Sequence, residues 1–180
     1  MKRSVAAVVG LVLVLMGLVA APASAHSPYC GIRWGSLEKS VSVGSTGPVV
    51  NIRSGQHLCY DRIVFDVAGK AGGYTVRYVS QATHGASGEP IAVRGGAVLD
   101  VTAFAPSYDE NGNTTYQPRN EREVVDVSGY RTLRQVVWEG SFEGYTSLGV
   151  GVRARLPFRA FILDGPGGGS RIVVDVAHRW

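Results

Sequence analysis

No stretch of this chain carries a long helical period, and no second hydrophobic run follows the one at its N-terminus. Lysine is almost missing after that run, and only two cysteines and four histidines occur. Each shortage excludes something. Without a sustained 3.6-residue pattern the chain is not a helical bundle or a coiled coil. Without a second apolar run there is no further candidate span. Without a dense basic block it lacks the phosphate-neutralising surface of a nucleic-acid binder. The histidines, His26, His57, His84 and His178, are scattered, with no HExxH or comparable ligand spacing, and no Gly-x-Ser-x-Gly elbow occurs. The residues therefore give catalysis little support and call for no cofactor.

What is present begins with a leader. Lys2 and Arg3 precede an apolar run from Val5 to about Ala20, and Ala21-Pro-Ala-Ser-Ala25 places small residues before His26. A basic head, an apolar middle and a small-residue cleavage site read as a secretory signal peptide over 1–25, with cleavage after Ala23 as a variant. An uncleaved anchor is the rival; the run is short of the roughly 20 residues a span needs, and no stop-transfer charges follow. Removing 25 of 180 residues leaves 155, one domain's worth. Losing Lys2 and Arg3 from 18 basic residues leaves 16 against 14 acidic, a formal charge of +2. Residues 26–48 read as an N-terminal arm and 49–180 as the domain.

Cys30 and Cys59 are an even pair in an exported chain, which reads as one disulfide. Free or metal-binding thiols are the alternative, without CxxC spacing to support it. A bridge would staple the arm to the segment that follows, stabilising by about 3.5 kcal/mol if unstrained.

That segment is the most informative in the chain. Arg62-Ile-Val-Phe-Asp66-Val-Ala68 returns as Arg171-Ile-Val-Val-Asp175-Val-Ala177. Each copy alternates as a strand: Ile63, Phe65 and Val67 on one face, Arg62, Val64 and Asp66 on the other, and likewise Ile172, Val174 and Val176 against Arg171, Val173 and Asp175. If the copies are antiparallel neighbours, one register sets Arg62 opposite Asp175 and Asp66 opposite Arg171; parallel pairing would set like against like. These four charges either lock a sheet face or grip a ligand, since guanidinium binds carboxylate bidentately.

The remainder is turn-rich. Val41–Val43 and Val49–Ile52 read as arm or edge strands. Gly69–Gly73 then Tyr74–Val79 reads as a hairpin with the first repeat. Ile91–Arg94, a Gly95-Gly96 turn and Ala97–Phe104 read as a second strand pair. Pro106–Glu123 is irregular and long enough to suggest a functional loop. Val124–Val127 is strand-like, Thr132–Trp138 a strand or a short helical turn, and Ser141–Tyr145 a connector. Gly149 and Gly151, between Leu148, Val150 and Val152, leave room for another backbone. Turn signals every 8–12 residues predict an all-β sandwich or barrel.

Several motifs together resemble a known family. His57-x-Cys-Tyr-Asp-Arg-Ile-Val-Phe-Asp66, Gly73-Tyr-x-Val-x-Tyr-Val79, Phe142-Glu-Gly-x-x-x-x-Gly-Val150, Pro157-Phe-Arg-x-Phe-x-Leu-x-Gly-Pro166 and Arg171-Ile-Val-Val-Asp-Val176 resemble the AMIN-like domain of secreted bacterial proteins, over about residues 49–178. It is related to the AMIN domain that precedes cell-wall amidases. The resemblance implies a β-sandwich of two small sheets and an envelope role, with peptidoglycan, another wall polymer or an envelope protein as partner. The Cys30/Cys59 pair is an addition to the plainest form of the motif.

Candidate binding residues are then Arg62, Asp66, Arg171 and Asp175, with Tyr108 and Tyr116 as rings able to stack on sugars. Tyr145 and Trp138 belong with them, although core packing is the equal reading for Trp138. Arg153, Arg155 and Arg159 compose a small basic patch or plain solvated charge. One enzymatic alternative remains: cleavage would leave His26 first, and an N-terminal histidine with a second imidazole suits copper.

Overall fold

The structure, a computed structural model, describes residues 28–44 and 47–180. The predicted leader and His26 lie outside the described residues. The strands are β1 (Lys39–Ser42), β2 (Val49–Gln56), β3 (Tyr60–Val67), β4 (Gly73–Val79), β5 (Ala82–Thr83), β6 (Pro90–Ile91), β7 (Ala97–Ala103), β8 (Leu133–Phe142), β9 (Tyr145–Val152), β10 (Phe158–Asp164) and β11 (Ser170–Ala177). Two short 3₁₀ turns, Tyr29–Gly31 and Pro166–Gly168, are the only helical pieces among the described residues. No helix there is long and apolar enough to cross a membrane.

A five-stranded sheet, β1-β4-β7-β9-β8, packs over a four-stranded one, β10-β11-β3-β2, and all pairings are antiparallel. The period-2 pattern explains the packing. Ile63, Phe65, Ile172, Val174 and Phe158 from one sheet meet Val76, Leu99, Val101, Val136 and Leu148 from the other in a single core. Two tyrosines of β4 tie the layers: the Tyr74 hydroxyl donates to the Ala160 carbonyl at 2.7 Å and the Tyr78 hydroxyl to that of Leu156 at 2.6 Å. The expected all-β sandwich and the Cys30–Cys59 disulfide, with Cα atoms 6.4 Å apart, are both present.

Several local expectations fail in instructive ways. β3 and β4 do not form a hairpin; residues 68–72 carry the chain from one sheet to the other, and β4 pairs with β1 and β7. Gly73 permits this crossing, because its φ is +139° and a Cβ there would fall on the Val41 carbonyl of β1. Nor do residues 91–94 pair with β7. β6 pairs with β5, and this small hairpin lies on the five-stranded sheet where Gly149 and Gly151 leave space; a Cβ on Gly151 would strike the Arg94 carbonyl. Val124–Val127 is not a strand. Asp126 accepts the Ser128 amide at 2.8 Å, closing a turn, while Val127 is buried. Thr132–Trp138 is strand rather than helix, and β8 runs on to a tight turn with β9.

Candidate functional site: the outer face of the four-stranded sheet

The two Arg-Ile-Val repeats are β3 and β11, and they pair antiparallel in the register their charges predict, Arg62 opposite Asp175 and Arg171 opposite Asp66. The side chains do not follow that symmetry. Asp175 is wholly buried and accepts from two arginines: Arg62 Nε at 2.6 Å and Nη2 at 2.9 Å, and Arg159 Nε of β10 at 2.8 Å. Both guanidiniums are roofed by rings. Arg159 lies 4.9 to 5.6 Å from the centroids of Phe161, Tyr60 and Trp34, and Arg62 lies 5.2 Å from Tyr60. The Asp175 hydrogen bond is the largest influence on Arg62 and holds its pKa above the usual guanidinium value, against the opposing effect of burial. Arg62 and Asp175 thus lock the face rather than await a ligand.

Asp66 and Arg171 differ. Asp66 turns away from its register partner to β2, where Arg53 Nε and Nη2 donate to it at 2.9 and 3.1 Å and Asn51 Nδ2 at 3.1 Å. Arg171 donates only through Nη2, to the Asp164 carbonyl at 2.7 Å. Its Nε–H is buried without an acceptor among the described residues. Among the described residues Arg53, Arg62 and Arg159 of this face each hold a carboxylate, and Arg171 holds none. Beside it opens a groove of about 690 Å³. Its lining combines the polar Asn51, Arg53, Asp66 and Arg171 with small apolar surface from Val50, Ala68 and the glycine loop at Pro166. That loop folds tightly because Gly167 and Gly168 take φ of +61° and +78°, with Gly169 N donating to the Pro166 carbonyl at 3.0 Å. The arrangement offers an under-used planar cation in a concave site, which suits a bidentate carboxylate or another anion.

The other anticipated residues are dispersed. Tyr116 packs half-buried on Trp138, ring centroids 5.9 Å apart, as a core residue. Tyr108 is not among the residues lining this groove, and its hydroxyl accepts the Gly144 amide at 3.0 Å. Arg153, Arg155 and Arg159 make no common patch: Arg153 donates to the His178 carbonyl, Arg155 to that of Ser36, and Arg159 faces Asp175.

The pairing of Asp61 with His178 escaped the sequence reading. Asp61, wholly buried, accepts the amides of Thr132 and Leu133 at 2.5 and 3.1 Å and meets His178 Nε2 at 3.0 Å. Their signal was available: Asp61 continues the inward parity of Ile63 and Phe65, and His178 that of Val174 and Val176. An acid on the core side of a strand requires partners. No group of three or more His, Cys, Asp or Glu among the described residues is placed to hold a metal.

Residues 47–178 match the family model of the AMIN-like domain, and the match marks a cell-envelope domain. No curated protein and no solved structure matches the chain. The disulfide is consistent with an extracytoplasmic setting.

Proposed function

The chain belongs to the AMIN-like domain family, and from that premise we propose that it is an exported, non-catalytic binding module of the cell envelope whose ligand is a wall polymer. The leader over 1–25 delivers it, and the groove beside the glycine loop is its binding site. The observation that carries this reading is Arg171: the one guanidinium of this face that, among the described residues, holds no carboxylate, with a buried Nε–H lacking an acceptor, at the edge of an open groove. Peptidoglycan stem peptides present carboxylates that a guanidinium grips bidentately, and the small apolar surface accommodates their short side chains.

The test is co-sedimentation with purified cell walls. Wild type pellets with the walls, and Arg171→Ala loses about tenfold or more in affinity, the scale of one charge-assisted hydrogen bond. Arg62→Ala is the control, because it unlocks the sheet and shows first in stability. Equal retention of Arg171→Ala and wild type, with the fold intact, would count against the groove.

A second reading, an envelope protein as partner, is favoured by one feature. Edge strand β1 is short and open, with Leu37, Val41 and Val43 exposed around it, and such an edge accepts a strand from another chain. Binding to an envelope extract that survives digestion of the wall, and fails when proline replaces Ser40, would favour this alternative.

A further inference from the structure

Tyr108, Tyr145 and Trp138, marked in the sequence as rings suited to sugars, take no part in the Arg171 groove; Tyr108 and the core-packed Trp138 line one depression elsewhere and Tyr145 another. Three depressions of about 420, 340 and 250 Å³ lie side by side across the end of β8. The first two share Glu121, Trp138 and Ser141, and the first and third share Gly140 and Phe142, so the three adjoin in a cleft that winds around the edge strand β8. Residues of the β8–β9 hairpin tip, the 84–89 turn and the 107–121 loop line it.

Phe142 and Tyr145 stand opposite each other in the β8–β9 register and remain 51% and 46% exposed. Register partners project to the same side, so two rings border the cleft together. Tyr145 is fixed by an edge-on contact with Phe104, centroids 5.2 Å apart. Because the Tyr108 hydroxyl holds the Gly144 amide, the long loop is tied to the hairpin tip and the cleft is built before any ligand arrives. The turn itself, Glu143-Gly144, has φ of +50° and +86°, and places glutamate where asparagine or glycine would be easier.

The charge is one-sided. Among the described residues no lysine or arginine lines any of the three depressions, whereas Glu89, Glu121 and Glu143 do, interspersed with the hydroxyls of Ser87, Thr114 and Ser141. Glu121 is engaged by Gln117 Nε2 at 3.1 Å through Oε1. Ring faces beside carboxylate and hydroxyl acceptors suit a ligand that presents C–H surface and O–H donors at once. The same charge repels a polyanion.

We propose that this cleft is a second binding site, for an uncharged or amine-bearing saccharide chain. It is built on the other sheet and does not depend on the Arg171 groove. Titration of the isotope-labelled chain with the N-acetylglucosamine tetramer and the glucosamine tetramer tests it, with heparin as the anionic control. At least one of the two tetramers gives saturable amide shifts at Glu121, Gly140, Phe142 and Gly144. Phe142→Ala, whose side chain is half exposed and whose loss leaves the core intact, weakens that binding at least fivefold. Glu121→Gln weakens it at least threefold, and Arg171→Ala leaves it unchanged. Absence of saturable shifts with both tetramers, shifts confined to the Arg171 groove, an undiminished Phe142→Ala, or heparin binding as tightly as either tetramer overturns the proposal. Because the readout is a soluble sugar, it is separate from co-sedimentation with walls.

Discussion

Asp175 is a fully buried carboxylate clasped by two guanidiniums, each itself only a fifth to a third exposed. A buried ion cluster is costly to break from one side, because the remaining charges lose their compensation. Asp175→Ala is therefore expected to lower unfolding free energy by about 2–4 kcal/mol in denaturant titration; a loss under about 0.5 kcal/mol would show that the arginines relax freely into water. The register that brings Asp175 to Arg62 was legible, since both copies of one heptad carry Arg and Asp at matching places. The partner of Asp66 was not. Its choice of Arg53 over Arg171 depends on β2 lying along β3 with a bulge at Val49–Asn51, and no local pattern encodes which edge strand arrives there.

The β5–β6 hairpin shows how an element is held by one titrating group. Gly85 donates its amide to the Glu139 carbonyl at 2.8 Å, and the buried Glu139 carboxyl lies beneath the hairpin, facing the Thr83 amide, Asp100 of β7 and Arg77 of β4. Burial first, and the Asp100 charge second, push that carboxyl up from 4.5 to about 8. The folded chain then keeps a proton that the unfolded chain releases between those values. Stability attributable to Glu139 is full below pH 4.5, falls as pH rises through the window, and levels off above about 8. The drop is on the order of 3–5 kcal/mol as an upper bound. Glu139→Gln should flatten this slope and leave stability at pH 9 above that of wild type; an unchanged slope in thermal unfolding from pH 5 to 9 would locate the titration elsewhere. The alternation of β3, β4, β7 and β11 could be read from sequence. Their assignment to sheets could not, because a five-residue glycine-rich link serves equally as a hairpin turn or as a crossing between layers.

For the whole molecule the decisive staple is the arm. The disulfide closes a separation of 29 residues and sets Trp34 against Tyr60, ring centroids 5.9 Å apart, while Phe158 N donates to the Gly35 carbonyl at 2.8 Å. Reduction, or a Cys30→Ser/Cys59→Ser double variant, should cost about 3.5 kcal/mol. It should also change tryptophan emission as Trp34 leaves the roof over Arg159. Identical denaturation curves with and without reductant would show that the arm is held by packing alone.

Composition, alternation and one repeated heptad were enough to predict an all-β sandwich or barrel, a Cys30–Cys59 disulfide and, for antiparallel neighbours, the register of its two central strands, because each depends on neighbours along the chain or on a symmetry written in it. Which arginine is left without a carboxylate, and which loops close into a cleft, was decided only by the tertiary structure. Those outcomes turn on competition among side chains brought together from distant strands, and no spacing along the chain records who wins.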